Sequence, residues 1–317
     1  MHLVKSIKAA AKDIRPYVIQ TPLVRSRIFS ELTGINVWFK LENEQVTGSF
    51  KSRGATNKIL SLSTEEKANG IVSASTGNHG AAVAYAANTL GIKCTIYVPK
   101  NADQKKINNM KQFGATIKVF GSDCIMAEEK ARNISEGRDK IYVSPYNDPL
   151  VMAGQGTIGV EIESQIDKLD GIIVAVGGGG LIGGIGSYLK SVWPDIQVIG
   201  CSPKNSAVML QSIDAGQILN LESKATLSDG TAGGVENNSI TFPICCDVID
   251  QSILVSEEDI KRAMIAYIDN EKSQIEGAAG TAVAALMKNQ KALKGKRICV
   301  VICGGNISSD KINKIFN

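Results

Sequence analysis

Four short segments of the 317-residue chain combine residue types that could do chemistry. Thr47-Gly-Ser-Phe-Lys-Ser-Arg-Gly54 sets one lysine, Lys51, among small hydroxylic residues and glycines after a strand-like run ending at Leu41. A lysine that forms a Schiff base must be partly desolvated and near cations, so that its amine is free near neutral pH, and an aldehyde must be able to reach it. Composition alone does not choose Lys51, because most lysines are solvated surface charges. Gly177, Gly178, Gly179 and Gly180 form an unbroken glycine run directly after the apolar Ile172 to Val176 and directly before a helical pattern. Glycines there let backbone N–H groups turn inward while the helix adds its positive end, which suits a phosphate or pyrophosphate. The bland alternative is a loop needed only for tight strand-to-helix packing. Ser73-Ala-Ser-Thr-Gly-Asn-His-Gly80 also closes a strand and opens a helix. Ser75 or Thr76 can cap that helix, its free N–H groups can receive a carboxylate, and the Asn78 amide can bond a phenolic oxygen. Cys303-Gly-Gly-Asn306 is a thiol-bearing turn after a final strand, and by itself it reads equally as the start of a helix.

These segments need elements to hold them. Strand-like runs are Asn36 to Leu41, Gly70 to Ala74, Cys94 to Val98, Thr116 to Phe120, Gly171 to Val176, Gln197 to Cys201 and Arg297 to Ile302. Helical patterns lie between them at Asn78 to Leu90, Asp103 to Phe113, Cys124 to Glu136, Gly180 to Val192 and Glu257 to Asn270. Buried β-branched runs joined by amphipathic helices describe mostly parallel sheets covered by helices, an α/β protein. Pro145 and Pro149 bracket polar residues, which predicts a boundary near Ser144 to Asp148. Gly178, Gly180 and Gly183 also satisfy a dinucleotide pattern, but the next strand ends at Cys201 and Ser202 without an acid to hold a ribose, and no Lys-Ser or Lys-Thr follows the loop.

Composition narrows the function classes. With 44% hydrophobic and 21% charged residues and a net charge of +4, the chain has the balance of a globular enzyme of about two domains. Its basic residues are scattered, which gives no footprint for nucleic acid and no membrane-binding patch. Seven cysteines at irregular spacing, mostly in apolar runs, predict reduced core thiols and a cytoplasmic setting. Two histidines and no paired ligands argue against a zinc enzyme. The first fifteen residues lack a continuous apolar core, so no signal peptide is expected.

Together, and in this order, the four segments resemble the fold-type II pyridoxal 5'-phosphate (PLP) enzymes, in particular the threonine and serine dehydratases and serine racemases. Ala153-Gly-Gln-Gly-Thr-Ile-Gly159 and Gln274-Ile-Glu-Gly-Ala-Ala-Gly280 add to the likeness, which covers essentially the whole chain. The resemblance implies two domains, each an open, mostly parallel sheet flanked by helices: a large one of residues 1–47 and 147–317, and a small one of 48–146, with the cofactor in the cleft between. It implies that Lys51 carries PLP covalently and removes the substrate Cα proton, with Phe50 beside the ring. Gly177, Gly178, Gly179, Gly180 and Leu181 hold the phosphate, Asn78 meets the phenolic oxygen, Cys303 faces the pyridine nitrogen, and Glu276 belongs to the cofactor site. Ser75, Thr76, Gly77, Asn78 and His79 receive the amino-acid substrate. The implied reaction is β-elimination of water from L-threonine, L-serine or a related β-hydroxy amino acid, yielding a 2-oxo acid and ammonia. A homodimer is the family's habit. A neutral thiol at Cys303 would leave the pyridine nitrogen largely unprotonated.

Departures from the family sort its branches. Related racemases place a serine hydroxyl where Thr76 stands; threonine keeps the hydroxyl but adds a methyl, which weakens racemase activity without excluding it, so that activity stays as the alternative. Positions matching a divalent-cation site in some relatives are Ser202, Ser206 and Val208, which predicts no metal there. Little sequence follows Asn306, so no C-terminal regulatory domain is expected. Ser228-Asp-Gly-Thr-Ala-Gly-Gly-Val-Glu236 resembles a branch that includes hydroxyectoine-utilisation dehydratases, which points to a modified substrate; equally, it reads as a structural loop near the cofactor.

Overall fold

The computed structural model describes residues 2–137 and 140–316, and among these, ten strands build two sheets. In chain order they are β1 (Leu23–Ser26), β2 (Asn36–Leu41), β3 (Ile71–Ala74), β4 (Cys94–Val98), β5 (Thr116–Val119), β6 (Ile141–Tyr142), β7 (Gly171–Ala175), β8 (Gln197–Pro203), β9 (Gln251–Val255) and β10 (Arg297–Ile302). One sheet runs β1-β2-β10-β7-β8-β9, parallel except for β1 against β2. The other runs β5-β4-β3-β6 and is wholly parallel. Parallel strands are buried on both faces, which is why β7 and all of β10 past Arg297 are apolar and out of contact with water. Each sheet has its own principal core. One core gathers residues from 7–39 and 153–315, and the other gathers residues from 55–143.

Helix starts carry the signals that short polar side chains supply. Asp148 accepts from the Leu150 and Val151 N–H groups and precedes a proline at the first position of the helix Pro149–Gln165. Ser256 and Asp259 form a reciprocal cap on the helix Glu257–Glu271. The helices Pro149–Gln165 and Gly180–Val192 touch backbone to backbone: a Cβ on Gly184 would lie 2.5 Å from the Met152 carbonyl oxygen. Glycine is required there by space rather than by turn geometry.

The helix Lys51–Leu60, which the periodicity did not reveal, is buried at seven of its ten positions. An ion cluster anchors it. Arg53, fully buried, donates from Nε to Glu42 at 2.7 Å and from Nη1 to Glu161 at 2.6 Å, and buried Lys40 donates to Glu161 at 2.6 Å. Two cations and two carboxylates balance, so the cluster ties β2, the Lys51 helix and the helix Pro149–Gln165 together without a net buried charge.

In the four-stranded sheet, strand order reverses at β3, and in the six-stranded sheet it reverses between β10 and β7. Ligands of open α/β sheets bind beyond the carboxyl ends of strands at such points. Residues 75–80, 177–180 and 303–306 stand just past the carboxyl ends of β3, β7 and β10.

Candidate active site

The sequence-predicted site residues converge on one cavity of about 1020 Å³. Phe50, Lys51, Ser75, Thr76, Gly77, Asn78, His79, Gly177, Gly178, Gly179, Gly180, Leu181, Glu276 and Cys303 all line it. A smaller cavity of about 370 Å³, lined by Lys168, Asp170, Asp195, Gln197 and Lys296 among others, sits at the amino ends of β7, β8 and β10 and contains none of them.

Lys51 occupies the first turn of its helix, with Phe50 just before it. The segment is tied to the turn after β10: Phe50 N–H donates to the Cys303 carbonyl at 3.1 Å, Gly305 N–H to Gly48 at 2.9 Å, and Ser49 pairs with Gly304. The Lys51 Nζ donates to the Pro145 carbonyl at 2.7 Å and lies 5.1 Å from the centre of the Phe50 ring. Burial pulls its pKa down to about 8, against the opposing pull of Cys303 and Glu276. The position at a helix start disfavours a cation in the same sense. The expectation of neighbouring cations is corrected: desolvation lowers this amine, and its charged neighbours work the other way.

Residues 177–180 form the turn from β7 into the helix Gly180–Val192. Only Gly179 needs glycine's conformational freedom, with φ +84°. Its neighbours are glycines because other segments of the chain come close. A Cβ on Gly178 would lie 2.4 Å from the Tyr146 ring, and one on Gly177 would lie 2.9 Å from the Thr231 carbonyl oxygen. Thr241 Oγ1 holds the Gly178 carbonyl at 2.6 Å. No described side chain caps this helix start, so its first N–H groups remain open to an anion. Tyr146 follows Pro145, whose carbonyl holds Lys51, and its ring lies on Gly178, so two adjacent residues of one segment contact the amine and the glycine turn.

Residues 75–79 close the cavity from β3. The predicted cap fails here. Ser75 Oγ accepts from Gly77 N–H at 3.1 Å within the loop, and the helix Asn78–Thr89 starts from Gly77 without a side-chain cap. The consequence is a second uncapped helix start facing the cavity, suited to a carboxylate. The His79 Nε2–H donates to the Val143 carbonyl at 2.9 Å, and burial followed by Lys51 holds its pKa down to about 3. His79 is therefore a neutral wall, not a cation for a carboxylate. Thr76 carries a hydroxyl beside the Cys124 thiol, which also lines the cavity.

The Asn78 amide donates to both oxygens of Glu276 at 2.9 Å and accepts from Asn306 Nδ2 at 2.8 Å. Among the described residues no cation pairs with the buried Glu276, and burial pushes its pKa up to about 7. The buried Cys303 thiol is driven well above its ordinary range by burial and then by Glu276, so it is neutral. Asn306, Tyr146 and Glu236 line the cavity without having been singled out; the first stands in the Cys303 motif, Tyr146 in the expected domain boundary, and Glu236 at the end of the 228–236 run. Asp229, Gly230, Thr231 and Ala232 of the 228–236 run line it too.

These residues fit PLP. An uncapped glycine turn meets a phosphate, a buried amine with a lowered pKa meets an aldehyde, and a neutral thiol and an amide complete the wall. Residues 14–304 match the family described as pyridoxal-phosphate dependent enzyme. The chain belongs to this family. It is similar to the L-threonine ammonia-lyase of Thermotoga maritima, 40% identical over 317 residues, covering all of this chain and 79% of the relative. Among solved structures, the processed form of threonine deaminase isoform 2 from Solanum lycopersicum aligns at TM-score 0.94 and 31% identity, covering 99% of this chain and 91% of that one. Serine racemase from Dictyostelium discoideum aligns at TM-score 0.89 and 36% identity, covering 96% and 98%. As a member of this family, the chain is a PLP-dependent enzyme. Among the described residues, no helix is long and apolar enough to cross a membrane, and no three His, Cys, Asp or Glu side chains gather as a metal would require.

Proposed function

We propose that this chain is a PLP-dependent ammonia-lyase that dehydrates and deaminates L-threonine, L-serine or a related β-hydroxy amino acid to a 2-oxo acid and ammonia. The observation that carries it is the single cavity that brings the Lys51 amine and the uncapped glycine turn together. When bound, PLP supplies an electron sink for the substrate Cα. Residues 177–180, with Leu181, would hold its phosphate, Asn78 its phenolic oxygen, Cys303 its pyridine nitrogen, Phe50 its ring, and Glu276 would stand behind Asn78. Lys51, with a pKa of about 8, takes the Cα proton as a base matched to neutral solution. The open N–H groups at the start of the helix Asn78–Thr89 orient the substrate carboxylate. Residues 75–79 and 228–236 enclose the substrate and limit water.

Racemisation is the second reading, favoured by the Thr76 hydroxyl on the cavity wall; a modified amino acid, as in hydroxyectoine breakdown, is favoured by the 228–236 run lining the same wall. The division into residues 1–47 with 147–317 and 48–146 belongs to this proposal, supported by the two cores. So does a homodimer, supported by the exposed apolar Val24, Ile28 and Leu32, and so does a cytoplasmic setting, supported by seven free cysteines, five of them buried. The test is Lys51→Ala, assayed for ammonia, 2-oxo acid and change of chirality from L-serine and L-threonine. The variant is expected to lose activity at least a thousandfold, on the order of what a covalent base and positioning group supplies. Activity equal to wild type would overturn the assignment.

A further inference from the structure

Asn78 is gripped from two sides by groups of opposite character. Its Oδ1 accepts from Asn306 Nδ2 at 2.8 Å, while its Nδ2 donates to Glu276 at 2.9 Å. Asn306 uses its other Nδ2 hydrogen on the Thr47 carbonyl at 2.8 Å. Turning over either amide would set donor against donor or acceptor against acceptor. The backbone is shaped around this chain of bonds. Gly48 has φ +70°, and a Cβ there would lie 2.5 Å from Asn306 Oδ1; a Cβ on Gly304 would lie 2.6 Å from Glu276 Oε1. A primary amide carries two N–H bonds. Both Glu276 oxygens lie 2.9 Å from Asn78 Nδ2, where one N–H is shared between them, and the second is left for the cavity that Asn78 lines.

We propose that Asn306 and Glu276 are positioning residues that fix which edge of the Asn78 amide faces the cavity, so that an N–H and not a carbonyl meets the phenolic oxygen of PLP. This rests on the function proposed above. Glu276 suits the task because it faces no paired cation that would draw its oxygens away from Asn78; Lys51, Cys303, Asp229 and Lys106 are the charged or titratable groups within its electrostatic reach. Burial favours its neutral form, which still accepts through its carbonyl oxygen. Asn306 is exposed, so its replacement leaves the core intact.

The experiment compares wild type with Asn306→Asp, which swaps the donor for an acceptor at equal size, and Asn306→Ala, which deletes it. For each, the Kd for PLP, the balance between the two absorbance bands of bound PLP across pH, kcat and KM, and the melting temperature of the cofactor-free protein are measured. Asn306→Asp is expected to raise the PLP Kd by about tenfold, because a neutral N–H donor gives way to an anionic acceptor facing the Asn78 carbonyl oxygen, and Asn306→Ala by about threefold. Both shift the band balance and lower kcat, with KM within about twofold and the melting temperature within a few degrees of wild type. Variants that match wild type in Kd and band balance would overturn the proposal. So would equal losses in both variants tracking a fall in melting temperature, the mark of a merely structural role. Lys51→Ala runs alongside: if it forms no PLP absorbance band, the Asn306 results bear on this proposal alone, and if it forms the wild-type band, the underlying function is wrong and this proposal falls with it.

Discussion

Lys51 is a base because its surroundings withhold water from it. Burial lowers its pKa to about 8, and its one hydrogen bond goes to a backbone carbonyl at residue 145 rather than to a carboxylate. The amine is protonated below that value and neutral above it, and only the neutral form attacks an aldehyde. The rate at which stripped protein captures PLP should therefore rise as pH increases through about 8 and level off above it, followed by absorbance. A rate flat across that range would contradict the burial argument. At this scale, the sequence made the motif residues legible, because runs such as Ser49 to Gly54 and Gly177 to Gly180 pair reactive groups with small residues that leave them space. It did not show the bond from Asn306 to Asn78, 228 residues apart, or the seating of the Tyr146 ring on Gly178, since only the folded chain brings these together. It also misjudged Ser75 and Thr76 as caps, because a hydroxyl beside a helix start can equally serve its own loop, as Ser75 does.

Among the elements, apolar runs of β-branched residues announced themselves. β2, β4 and β10 have the bounds read from sequence; β4, and β10 past its first residue, are buried throughout and nearly all apolar, whereas β2 carries Asn36 and the buried Lys40 among its apolar residues. Short or half-exposed strands were missed: β6 has two residues, and β9 alternates between buried and partly exposed positions. The helices Pro149–Gln165 and Gly277–Lys288 were missed for another reason: the first holds three glycines within a run, Val151 to Gly159, that is buried at every position, and the second is alanine-rich and buried at ten of its twelve positions, so no 3.6-residue period marks them. The Lys51 helix belongs with these, and its anchor can be tested. Arg53→Met leaves Glu42, which has no exposure, without its closest cation. Urea unfolding should show a loss of about 3–5 kcal/mol, the usual cost of breaking one side of a buried ion pair. A loss below about 1 kcal/mol would mean that the cluster does not hold this helix.

Across the whole molecule, two sheets present the carboxyl ends of β3, β7 and β10 to one cleft, and side chains bridge it. Glu236 accepts from Arg132 at 2.9 Å and from Asn147 at 2.9 Å, and its N–H donates to the Tyr146 hydroxyl at 3.0 Å. The loop holding Glu236 thus meets the helix Cys124–Glu136 and the segment that carries both Pro145 and Tyr146. The α/β class and the order of the site segments were legible from sequence because each segment closes a strand, and parallel strands deliver their carboxyl ends to a common edge. The bridging contacts were not, because Glu236 lies far from Arg132 and Asn147 in the chain and only the fold brings their side chains together. The central claim is that one amine, Lys51, receives PLP in this cleft while the glycine turn binds its phosphate. The direct measurement is to incubate the protein with PLP with or without excess inorganic phosphate, reduce with borohydride, digest, and locate the phosphopyridoxyl group by mass spectrometry. The account predicts label on Lys51 alone, formed more slowly in phosphate; label spread over exposed lysines such as Lys105 and Lys106, with Lys51 unmodified, would contradict it.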